Sequence, residues 1–181
     1  MRRLLLTAAL VVGATALLAG CGGSDSGSSG TTAADWASGY CGDASSWVTS
    51  LDEARASVKT GTTPEDAAQS VTDETTSFIK SIDDLGAPDT PDGSTSEATA
   101  KSLATTLSGR MARISGAIDT NNPDVTVAQQ TAIVREQIDA SLTDIKTTTA
   151  KLGQDDAELG TAMSASSDCT SLTAALTKAS A

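Results

Sequence analysis

Between Trp36 and Val58 the apolar residues fall at Trp36, Tyr40, Ala44, Trp47, Leu51, Ala54 and Val58, in steps of 4, 4, 3, 4, 3 and 4. That spacing keeps one face of an α-helix apolar. It is incompatible with a strand, whose side chains alternate between faces. The pattern recurs three times. A second stripe is Ala68, Val71, Thr75, Phe78, Ile82 and Leu85, and a third is Ala100, Leu103, Leu107, Met111, Ile114 and Ile118. A fourth is Val127, Val134, Ile138, Leu142, Ile145, Thr149 and Leu152. No period-2 run of any length accompanies them, so the expected class is all-α.

The residues between the stripes read as helix punctuation. Thr60-Gly61 ends the first helix. Thr63 is placed to cap the second, with Pro64 in its first turn, where the missing N–H costs nothing. Gly86 reads as a C-cap, and Pro88 and Pro91 hold the next connection open. Asn121-Asn122-Pro123 breaks the third helix, Asp124 can cap the fourth, and Gly153 follows its last apolar residue. Short connections favour antiparallel neighbours. The expectation is therefore an antiparallel four-helix bundle. Four helices return the chain to where it began, so the segment from Asp155 to Ala181 is expected as a short helix crossing that end, beside the start of helix one.

The N-terminus carries a different kind of signal. Met1-Arg2-Arg3 is a basic start, and the sixteen residues from Leu4 to Ala19 are apolar except at Thr7, Gly13 and Thr15. A spanning helix needs about 20 apolar residues, so the run reads as an export signal. It ends in Leu18-Ala19-Gly20-Cys21, which resembles the bacterial lipobox at all four positions. The resemblance implies a diacylglycerol on the Cys21 thiol and cleavage before Cys21. The next residues, Gly22 to Ala34, are mostly Gly, Ser and Thr and bury nothing. Such a coil reaches roughly 20 Å. The expected organisation is a signal peptide over 1–20, a lipidated cysteine and flexible tether over 21–34, and a helical domain over 35–181. The domain is then roughly 145 residues, within the usual single-domain range.

Composition narrows the chemistry. The precursor carries a net charge of −11, and loss of Arg2 and Arg3 with the signal makes it more negative still. That charge opposes nucleic acid as a partner. The chain has no histidine, and so lacks the commonest general base and the commonest metal ligand. No phosphate-binding glycine loop and no nucleophile-elbow motif is present. Asp83-Asp84 and the acidic stretch from Asp89 to Asp92 read as helix-end and turn residues rather than a calcium loop. Arg110 and Arg113, flanking Met111, read as a solvated face. No metal, no cofactor and no enzymatic activity is expected. The nearest thing to a ligand site is Trp36, Tyr40 and Trp47. These aromatics could stack on a sugar or line a pocket, Trp36 could sit near the bilayer, and helical spacing equally makes all three plain core.

Taken together, the lipobox, the Ser/Gly tether, the Trp36-x-x-x-Tyr40-Cys41 opening, the Leu85-Gly-Ala-Pro88 turn and a cysteine near the C-terminus resemble small helical lipoproteins of actinobacteria. That resemblance carries over no catalytic residues. With Cys21 committed to lipid, Cys41 and Cys169 remain, and two cysteines in an exported domain favour a disulfide. The bundle topology independently brings Cys169 beside Cys41. The expected function is a non-enzymatic interaction or scaffold module, held by the lipid on Cys21 at the outer face of the cytoplasmic membrane and engaging an envelope protein. The alternative is a small-molecule or lipid binder with an apolar cavity between its helices, since a core filled with Ala and Thr either packs closely or leaves space.

Overall fold

A computed structural model of the chain describes residues 30–59, 63–118 and 125–180. Cys21 and the signal segment lie outside the described residues, as do Gly61, Asn121 to Pro123 and Asp124. The described residues form six helices: α1 (Ala33–Lys59), α2 (Pro64–Leu85), α3 (Gly93–Ile118), α4 (Val127–Asp155), α5 (Ala157–Ala165) and α6 (Ser167–Ala179). No strand occurs among them. One isolated bridge joins Thr31 to Pro88, where the Asp89 N–H donates to the Thr31 carbonyl at 2.8 Å. The helices pack as an all-helical bundle around one apolar core.

Helix α1 is the centre of that core. Every residue of its stripe is buried, and so are Ala37, Cys41 and Val48 beside it. A single stripe covers one neighbour, whereas α1 packs against α2, α4, α5 and α6 and buries a broader face. Helix α2 begins as its punctuation requires. The Thr63 hydroxyl accepts from the Asp66 N–H at 3.2 Å, Pro64 opens the helix, and Gly86 ends it at φ 63°, a left-handed conformation open to glycine at no steric cost.

Three boundaries differ from expectation. Helix α1 opens at Ala33 and not Asp35, and with Ala33 buried and Thr31 bridged to Pro88 the last residues assigned to the tether belong to the folded domain. Helix α4 is capped by Thr126, not Asp124. The Thr126 hydroxyl accepts from the Gln129 N–H while the Gln129 side chain accepts from the Thr126 N–H, so two otherwise orphaned donors are satisfied together. Val127, assigned to the buried stripe, is 64% exposed at the first turn. At the other end α4 runs through Gly153 to Asp155. Gly153 does not stop the helix but admits a neighbour: a Cβ on Gly160 of α5 would lie 2.3 Å from the Gly153 carbonyl oxygen. Two glycines are what let α4 and α5 touch backbone to backbone.

The C-terminal segment also departs from the single crossing helix. It forms two helices, each with its own cap: Asp156 accepts from the Leu159 N–H, and Ser166 accepts from the Asp168 and Cys169 N–H groups. Helix α6 lies along α1 instead of crossing its end. Ser38 bonds Asp168, Cys41 is joined to Cys169, Lys178 reaches Asp52 at 3.6 Å, and Arg55 donates to the Ala179 carbonyl at 2.6 Å. The reason is the apolar side of α6. Leu172 and Ala179 are buried, with Cys169, Ala175 and Leu176 partly so, and a row of that length is covered only by running beside another helix.

Candidate functional site

The aromatic residues are consumed by the core. Trp36, Tyr40, Trp47 and Phe78 are all buried. Trp36 stacks on Tyr40 with ring centroids 5.2 Å apart, and Trp47 stacks on Phe78 at 4.7 Å. Their polar atoms are engaged as well. The Trp36 indole donates to the Gly86 carbonyl at 2.9 Å, and the Trp47 indole donates to the Thr75 hydroxyl at 3.1 Å. The Tyr40 hydroxyl meets the Thr149 hydroxyl at 3.4 Å, and burial pushes its pKa far above the ordinary phenol value. These side chains pin α1 to α2 and α4; only Trp47 and Phe78 reach a surface hollow, a small one of about 140 Å³ between α1 and α2.

The cysteines do meet. Cys41 and Cys169 form a disulfide, with S–S 2.01 Å and Cα–Cα 4.8 Å, across 128 residues of sequence. Cys41 is fully buried, whereas Cys169 is half-buried. Cys169 Sγ also lies 3.6 Å from the Ala37 carbonyl oxygen. A disulfide sulfur carries no proton, so this is a contact and not a hydrogen bond.

Beside the staple the surface is concave. Where α4 and α6 diverge, an open groove of about 420 Å³ is floored by Ala150, Leu172 and Leu176. It adjoins an open hollow of about 590 Å³ between α4, α5 and α6, lined by Gly153, Gly160, Met163 and Cys169. Thr149, Ala150 and Thr173 belong to both. On the opposite side of α4, a third groove of about 400 Å³ faces α3 and is lined largely by threonine and serine.

Three charged clusters were not legible as such in the sequence. Asp156 is 1% exposed. Its carboxylate accepts from the Leu159 N–H at 3.0 Å, from the Ser96 hydroxyl at 3.2 Å and from the Thr90 hydroxyl. Burial works to raise its pKa, but the Leu159 N–H, the two hydroxyls and the Glu158 N–H together outweigh it and hold the pKa below the ordinary value. The aspartate thus ties the α4–α5 corner to the loop before α3. The second cluster corrects the reading of Arg110 as a solvated residue. Its guanidinium binds Asp144 through Nε at 2.7 Å and through a terminal nitrogen at 2.6 Å, and donates to the buried Gln137 amide oxygen at 3.4 Å. Arg113 is exposed. Arg55 plays a similar part between α1, α4 and α6. Burial opposes its charge, and Asp139 and Asp52 more than restore it.

Among the described residues, no cluster of three or more Cys, Asp or Glu is placed to hold a metal ion, and no helix is long and apolar enough to cross a membrane. Asp84 is paired with Lys80 on α2, and Asp89 to Asp92 form the turn before α3. Comparison with family models, with curated proteins and with solved structures finds no match for this chain.

Proposed function

We propose that the chain is an extracytoplasmic lipoprotein of the small helical actinobacterial kind, held at the outer face of the cytoplasmic membrane by lipid on Cys21. Its helical domain acts there as a non-enzymatic interaction module for another envelope protein. The observation that carries this reading is the pairing of Cys41 with Cys169. A structural disulfide belongs to an oxidising compartment, and Cys21 is the one cysteine left over for lipid. The burial of Trp36, Tyr40 and Trp47 supports a role exercised through the outer surface rather than through an aromatic pocket.

In this reading the four long helices are an antiparallel four-helix bundle. Support comes from the pairing of early with late positions: Trp36 near the start of α1 with Gly86 after the end of α2, Tyr40 early in α1 with Thr149 late in α4, and Arg55 late in α1 with Asp139 in the first half of α4. The tether leaves Cys21 nine residues before Gly30, so the stapled end of the bundle faces the membrane. A second reading, a binder of a small apolar molecule, is favoured by the α4–α6 groove and its Leu172 and Leu176 floor. It would use an open groove, not an enclosed cavity.

Metabolic labelling with a fatty-acid analogue tests the anchor. The wild-type chain is expected to take up label and to sediment with membranes, whereas Cys21→Ala takes up no label and is either released or left as an uncleaved precursor. Equal labelling of the two refutes the anchor. Cross-linking in intact cells tests the interaction, and recovery of uncross-linked monomer alone would count against a protein partner.

A further inference from the structure

The two sulfurs of the staple are not equivalent. Cys41 sits in the interior of α1, bonded to Cys169 of α6, and is fully buried. Cys169 is half-buried and forms part of the wall of the open hollow between α4, α5 and α6. Gly153 and Gly160, which carry no side chains, line the same hollow. Cys169 is also the third residue of α6, in the first turn, where backbone N–H groups favour negative charge on sulfur.

We propose that Cys169 is the thiol-exchange site of this protein: thiols and dithiol oxidoreductases reach the disulfide through the α4–α5–α6 hollow and attack Cys169 Sγ, and Cys41 is always the leaving sulfur. In the first step the incoming thiolate forms a new S–S bond to Cys169. The Cys41–Cys169 bond breaks, and its electron pair leaves on Cys41. The proton given up by the incoming thiol ends on Cys41, since a thiolate in apolar surroundings is disfavoured. With a dithiol reductant, the second thiol then attacks its own partner sulfur and releases Cys169 as a thiol. The net change is two electrons and two protons gained by the protein, and one disulfide formed in the reductant.

The arrangement makes the staple slow to open. Exchange is faster when the leaving thiol ionises readily, and the accessible sulfur here is coupled to the poorer leaving group. The reverse attack, on Cys41 with Cys169 leaving, has the better leaving group at the helix terminus but no path to the sulfur. Thiols in the surroundings therefore meet a bond that is open on one side only, and that re-closes by attack of Cys41 on any adduct at Cys169.

The full chain carrying Cys21→Ser tests this. Adding Cys41→Ser leaves the Cys169 thiol alone, and adding Cys169→Ser leaves the Cys41 thiol alone. With an aromatic disulfide reagent, 5,5′-dithiobis(2-nitrobenzoate), the Cys169 thiol is expected to react at least about tenfold faster than the Cys41 thiol in buffer. The difference should vanish in denaturant. Equal native rates, or a faster Cys41, overturn the proposal. Because a single-cysteine variant can lose its fold, the bonded Cys21→Ser chain supplies a second measurement. It is exposed to glutathione, quenched in acid and mapped by mass spectrometry. Glutathione found on Cys169 supports the assignment, and glutathione found on Cys41, or on both equally, refutes it.

Discussion

Replacing Asp156 by alanine should be among the most damaging single polar changes in this domain. The carboxylate caps α5 through the Leu159 N–H and receives the Thr90 and Ser96 hydroxyls from the loop and first turn of α3. Loss of an N-cap costs about 1 kcal/mol. Hydrogen bonds to a charged group contribute about 1.5–3 kcal/mol each, and a buried donor left unsatisfied costs about 1–3 kcal/mol. Recovery of the desolvation spent on a buried carboxylate offsets part of this. The net expectation is about 3 kcal/mol at pH 7, or roughly 10 °C in Tm for a domain of this size. Asp156→Asn keeps an acceptor for the Leu159 N–H and should cost about 1 kcal/mol. The sign of the pH dependence follows from the lowered pKa. The stabilisation is present above the ordinary aspartate value of about 3.9 and is lost as pH falls through the lower folded value. Urea unfolding followed by circular dichroism at pH 7 and pH 3, on wild type and both variants, measures it. Comparing the variants with wild type at each pH isolates the contribution of Asp156. A cost below about 0.5 kcal/mol for Asp156→Ala at pH 7, or a cost that does not shrink at pH 3, would refute the reasoning.

Glycine substitutions should split by environment. Gly160→Ala would put a Cβ 2.3 Å from the Gly153 carbonyl and should lower Tm by forcing α4 and α5 apart, whereas Gly109→Ala and Gly116→Ala meet nothing within 4 Å and should each stabilise by about 0.5–1 kcal/mol. Thermal melts that rank the three the other way would contradict the packing. Reduction of Cys41–Cys169 should lower Tm while leaving the helical signal at low temperature. The cost is up to about 4–5 kcal/mol, because the bond closes a long loop in the unfolded chain while each helix keeps its own apolar stripe. Loss of helicity on reduction would mean that the stripes alone do not hold the bundle.

The reach of each force separates what the sequence alone determined from what the tertiary structure decided. Helix existence was legible because apolar spacing and caps act within a few residues. The whole α1 stripe, the Thr63–Pro64 start and the Gly86 end could be read directly, and the Cys41–Cys169 pairing followed from cysteine count and helix number. Boundaries failed where two local signals competed. Thr126 with Gln129 outbid Asp124 as a cap, and Gly153 was a contact glycine, not a stop. The direction of α6 was not legible, since its Leu172, Leu176 and Ala179 row would fit any apolar surface and the fold lays it along α1. Arg110 and Asp156 look like ordinary surface charges in the sequence. They are half-buried and buried because Asp144 lies 34 residues away from the one, and Thr90 and Ser96 lie 66 and 60 residues away from the other. A charge enters a protein interior only when partners are already in place to replace its water, and partners so distant in the chain are supplied by folding, not by neighbouring sequence.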